Sequence, residues 1–163
     1  MAREAVAACL KVTEWIQPCD DDAVALHEGV GECVALLQSN LNFRGFLVRS
    51  NVADVEFEVS RVALRNLLSA SLITLSDAGN DPCTLGIEAD VSAGAAVLTV
   101  RRGPRDDGGP GMPPDVTVYR QLDWADVQAL AVAEDVELTR AADVITMRIP
   151  RMVATSPLQI APL

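Results

Sequence analysis

The chain has 163 residues, half of them hydrophobic but only 4% aromatic, with a formal net charge of −10. That is one domain of ordinary size, with a core built from Val, Leu, Ile and Ala. The acidity argues against a nucleic-acid partner or an anionic membrane surface, since both call for a basic face. No apolar run is long enough to span a bilayer, and "MAREAVAACLK" lacks a signal core with a cleavage site. The expected setting is the cytosol.

Residues 2–16 place Val6 and Leu10 near one stripe and predict a helix that ends near Pro18. "PCDDD" is a turn, and its consecutive acids, Asp20 to Asp22, suit cap and dipole partners of the next helix better than a metal. "AVAL" is a short strand. "HEGVGECVALLQSNLNFRG" carries Val30, Val34, Leu37 and Leu41 at helical spacing, with Gly45 as its C-terminal cap.

"FLVRS" and "VEFEV" read as strands, the second alternating at Val55, Phe57 and Val59. Ser60 caps a helix over "RVALRNLLSASLITLSD", which Gly79 closes. "CTLGIEADV" and "AAVLTVRR" form an antiparallel pair joined at "SAG". A loop rich in glycine and proline follows, "RDDGGPGMPPD". "LDWADVQALAVAE" is a helix with Asp123 as its cap, and "VELTR" and "VITMRIP" form a last hairpin around "AAD". Hairpin pairs with single helices between them predict an α/β (α+β) two-layer sandwich: a mixed, mostly antiparallel sheet with helices on one face.

Four scattered cysteines (Cys9, Cys19, Cys33, Cys83) form no C-x-x-C pair, and there is one histidine. The expectation is buried or half-buried thiols, without zinc or disulfides.

Several stretches resemble the ATP-binding catalytic domain of sensor histidine kinases, the fold family of gyrase, the Hsp90 chaperones and MutL. "VALRNLLSASLITLSDAG" resembles the N-box helix, N-L-L-x-N-A. "DDGGPGMPPD" resembles the first glycine box, D-x-G-x-G. "VALHEGVGECVALLQSNLNFRGFLVRS" is similar to the opening helix and strand, and "VQALAVAEDVELTRAADVITMRIPR" to the closing helix, hairpin and terminal "l-P". Residues 1–20 look like the end of a dimerisation helix and its linker, 21–152 like the ATP-binding domain, and 153–163 like an irregular tail.

The resemblance implies that ATP and Mg²⁺ are bound and that the γ-phosphoryl group passes to a histidine on a dimerisation domain outside this chain. A response regulator would be the downstream partner. Asp107 would read adenine, Gly109 and Gly111 would let the backbone approach the nucleotide, and Asn66 would hold the metal-phosphate end. Arg101, Arg102 and Arg105 cluster nearby in an acidic chain, and Arg102 and Arg105 would offset phosphate charge.

The pattern departs in three places. Ala70 stands where the second N-box asparagine, the principal magnesium ligand, is expected, which leaves Ser69 or water to help. "VYRQLDWADVQAL" replaces the later glycine-rich helix start. "RRGPR" intervenes between the strand and Asp107, so a rival register puts Arg102 at the aspartate position. These departures imply an alternative: a pseudokinase or phosphotransfer scaffold of the same fold, independent of ATP, that binds a kinase or response regulator. An anti-sigma-type switch is a third reading. His27 lies outside any phospho-acceptor pattern.

Overall fold

Nine residues from Cys83 to Val91 (β4) alternate in burial, as do ten from Ala95 to Pro104 (β5), and the two pair antiparallel with Val91 opposite Ala96. This hairpin is the spine of the fold. The computed structural model describes residues 23–79, 81, 83–92, 94–105 and 122–152. The helix expected over 2–16, the aspartates at 20–22, Asp107, Gly109, Gly111 and the tail after residue 152 lie outside the described residues.

In chain order the elements are β1 (Ala23–Ala25), α1 (Leu26–Phe43), β2 (Phe46–Asn51), β3 (Glu58–Ser60), α2 (Arg61–Asp77), β4, β5, α3 (Trp124–Ala133), β6 (Glu137–Ala141) and β7 (Val144–Pro150). The main sheet has the order β2-β4-β5-β7-β6. Among the described strands only the β2–β4 pairing is parallel. Its crossover runs through β3 and α2, as a parallel pair requires a long connection. β1 and β3 form a separate antiparallel pair.

One row on each central strand is buried: Leu85 and Ile87, Leu98 and Val100, Ile145 and Met147. The helices pack on that face. α2 lies across the centre, with α1 on one flank and α3 on the other. The other face carries Thr, Arg and Glu, as in an antiparallel sheet with one solvated side. The two-layer α+β sandwich expected from the element order is the architecture observed.

Ser60 caps α2 as its position predicts: its Oγ accepts from the Ala63 N–H at 3.2 Å. Leu64, Leu67, Leu68, Leu72 and Leu75 of α2 are fully buried. Gly29 lets α1 approach α2, since a Cβ there would overlap Leu64 and Val24. α1 ends at Phe43, and Gly45 turns the chain into β2 with φ 87°.

The boundary of β3 differs from the sequence reading. The strand expected over Val55–Val59 is only Glu58–Ser60. Phe57 is buried and its O accepts from Leu26 N–H at 2.9 Å, but its own N–H bonds back to Val55 O at 2.7 Å in a tight turn, which ends the strand there. Gly79 follows the α2 C-cap, Ala78, in the position that Gly45 holds after α1. Asp123 is the N-cap of α3 as expected, by backbone position and without a side-chain hydrogen bond.

The chain leaves this unit beside the place where it enters. Met152 N–H donates to Glu58 O at 2.9 Å, on the strand that pairs with β1. Arg151 lies over the Phe57 ring, 5.3 Å from its centroid.

Candidate functional site

The candidate residues lie along α2, and its two ends differ in charge. Toward its start, Asn66 is half-buried and faces α3. Its Nδ2 donates to Glu134 Oε1 at 3.1 Å. Glu134 is the C-cap of α3, where the helix dipole presents its negative end. An amide oxygen, a carboxylate and a helix C-terminus together suit a hard cation that keeps most of its water. The same groups repel a free phosphate. Among the described residues, no three His, Cys, Asp or Glu side chains gather at metal-binding distance. Ser69, the other oxygen considered for a metal, is buried near the Cys33 thiol of α1, and its Oγ has no protein hydrogen-bond partner. Ala70 is 5% exposed.

Asp77 closes α2 eleven residues on, roughly 16 Å along the helix axis. Here the side chains are basic. Arg44 donates to Ser76 Oγ at 2.9 Å, to Ser76 O at 3.3 Å and to Asp77 Oδ1 at 2.7 Å. The Arg44 and Asp77 side chains are only 12% and 7% exposed. Asp77 stands unfavourably at a helix C-terminus, and the Arg44 guanidinium compensates both the carboxylate and the last carbonyls.

Arg102 reaches the same end from β5. Its Nε donates to Cys83 Sγ at 3.3 Å. Its guanidinium covers Gly79 so closely that a Cβ there would sit 2.8 Å from Nη2. Arg105 donates to Gly45 O at 2.9 Å.

Thus Arg102 and Arg105 sit together, while Asn66 is held apart from them at the other end of α2. Arg101 is separated from Arg102 altogether. Consecutive strand residues face opposite ways, so Arg101 lies on the open face of the sheet and Arg102 on the helix face. His27 pairs with Asp54 at 3.1 Å.

Cys33 marks the middle of the α1–α2 contact. Burial pushes its thiol up from an ordinary value of 9.0 to about 11; the nearby Ser69 hydroxyl lowers it, Glu32 raises it and Arg65 lowers it. Cys33 and Cys83 are buried free thiols, as expected for them.

Sequence reasoning missed Glu134, Arg44 and Asp77. For one pair a signal existed: an aspartate in the last turn of a helix calls for a cation, and Arg44 precedes the turn glycine. Nothing local marked Glu134, whose partner lies 68 residues away.

No protein-family model matches the chain, and no curated protein matches it by sequence. Solved structures do. The histidine kinase AdeS of Acinetobacter baumannii superposes with a TM-score of 0.55 at 14% identity, over 80% of this chain and 66% of that one. The catalytic domain of the histidine kinase ThkA gives 0.58 at 11% identity, over 80% and 96%. ThkA in complex with the response regulator TrrA gives 0.56 at 13% identity, over 80% of this chain and 41% of that one. The fold is that of a histidine kinase catalytic domain, in a strongly divergent sequence. The chain spans about two thirds of the AdeS chain and less than half of the ThkA chain in the complex.

Proposed function

We propose that this chain is the catalytic, ATP-binding module of a divergent sensor histidine kinase. It binds ATP with Mg²⁺ and donates the γ-phosphoryl group to a histidine on a dimerisation domain outside this chain. A response regulator receives the signal. The observation that supports this reading is the fold itself, which follows histidine kinase catalytic domains over four fifths of the chain. One such kinase is solved with its response regulator.

In this proposal Asp107 reads adenine, Gly109 and Gly111 give the nucleotide close backbone approach, and Arg102 and Arg105 contribute positive charge. Asn66 supplies an amide oxygen for the metal, and Glu134 adds the carboxylate that Ala70 does not replace. Bound Mg–ATP supplies the transferable group. The chain's own work is positioning and charge neutralisation. No helix among the described residues is long and apolar enough to cross a membrane.

One observation favours a second reading, an ATP-independent scaffold of the same fold that binds a kinase or response regulator. The polarity along α2 runs against the assigned roles. The residue meant for phosphate and metal faces a carboxylate, and the arginines meant to offset phosphate charge sit toward the opposite end of the helix.

Thermal or denaturant stability measured with and without Mg–ATP separates the two. Nucleotide at about 100 times its dissociation constant adds roughly 2.7 kcal/mol if it binds the folded chain alone. The gain should vanish in Asp107→Asn and weaken in Asn66→Ala. No gain at millimolar Mg–ATP assigns the chain to the scaffold.

A further inference from the structure

The open face of the sheet, away from the helices, holds a feature that neither reading uses. Arg49 on β2, Gly86 on β4 and Arg101 on β5 stand in one cross-strand row. Gly86 leaves a notch of about 210 Å³ between the arginines, lined also by Thr84, Glu88 and Gly103. The two arginine Cα atoms are two strand spacings apart, roughly 9–10 Å. An oxyanion seated over Gly86 lies within reach of both guanidinium groups.

Nothing in the packing requires glycine at position 86. A Cβ there would meet only Arg101 O, at an ordinary 3.9 Å, and the backbone is not left-handed. Glycine weakens a strand interior and often marks a close approach by a ligand. The other described arginines each have a partner: Ser76 and Asp77 for Arg44, Glu32 for Arg61, Cys83 Sγ for Arg102, main-chain oxygens for Arg105, Arg140 and Arg151, and Glu137 for Arg148. Arg65 is also engaged. Among the described arginines, Arg49 and Arg101 alone have no hydrogen-bond or ion-pair partner. In a chain of net charge −10, two such cations side by side across a gap are an anomaly.

We infer that this notch is a carboxylate-binding site. A carboxylate accepts paired N–H bonds from a guanidinium fork. Glu88 decides between oxyanions. With two arginines and one glutamate the local charge is +1, which matches a monoanion and disfavours a phosphate dianion. The carboxylate comes from a small organic acid or from an acidic side chain of a docking protein.

Amide and arginine side-chain NMR on the full chain tests this, with sodium acetate and a tetraglutamate peptide as probes and phosphate and chloride at matched ionic strength as controls. Acetate should saturably shift the Gly86 amide and the Arg49 and Arg101 Nε–H signals. Arg49→Gln and Arg101→Gln should each weaken binding about fivefold or more, and Gly86→Val should block it with both arginines in place. Glu88→Gln should tighten phosphate about threefold. Tetraglutamate binding about tenfold tighter than acetate identifies a protein side chain as the source, and equal binding identifies a small acid. Non-saturating shifts shared with chloride, phosphate binding more tightly than acetate to the unmodified chain, or arginine variants that bind acetate normally would each overturn the assignment.

Discussion

The two ends of α2 are built from one helix but hold their neighbours differently. At Asp77, a guanidinium meets a carboxylate, a hydroxyl and a carbonyl in a site almost closed to water. At Asn66, a neutral amide donates to a half-buried carboxylate. The first arrangement is costly to disturb, because an uncompensated buried charge remains. The second is cheap to open, because water can replace the partner. The Asp77 end is therefore scaffold, and the Asn66 end has the freedom that ligand exchange needs.

The largest effect should come from the Asp77 end. Arg44→Met leaves Asp77 buried without its cation, and urea unfolding should show a loss of about 3–5 kcal/mol. A loss under 1 kcal/mol would erase the contrast between the ends. The double variant Arg44→Met/Asp77→Leu should recover much of that loss.

Between the ends, Cys33 gives a pH-dependent reference. Its folded pKa, about 11, lies above the ordinary 9.0, so the unfolded chain loses this proton first. Unfolded chains then bind fewer protons between pH 9 and pH 11, and stability falls as pH rises through that window. The full loss is on the order of 2–3 kcal/mol. Comparing Cys33→Ala with the parent over the same window isolates the contribution: the parent should fall more steeply.

Asn66→Ala should cost only about 1 kcal/mol without ligand. Its stability deficit should grow when Mg–ATP is added, if the amide oxygen serves the metal. A deficit indifferent to Mg–ATP would make Asn66 a structural link to α3 and nothing more.

The smallest effect is expected at Gly79. Gly79→Ala should displace the flexible Arg102 guanidinium for less than about 1 kcal/mol. Release of Cys83 Sγ from Arg102 should make that thiol react faster with a maleimide. Unchanged labelling would mean that Arg102 does not guard Cys83.

Much of the fold was legible because local signals agreed with global ones. Ser60 before an apolar run set the start of α2, and "SAG" between two alternating runs set the β4–β5 hairpin. The β3 boundary failed because burial at Val55 and Phe57 mimics strand alternation, and periodicity alone does not separate the two. The site was less legible. Treating Arg101 and Arg102 as one cluster ignored the two-residue period that the strand reading already contained. Glu134 was invisible, since its role exists only after α3 has folded back on α2.

The hydrogen bond from Met152 to Glu58 has a mechanical consequence. Residue 23 lies on β1, paired with β3, and residue 152 follows β7 and bonds to β3. The neighbouring Arg151 N–H donates to Gly94 O beside β5. Tension on the outgoing chain is therefore divided between the small β1–β3 ribbon and the main sheet, so the ribbon cannot peel away without the main sheet resisting.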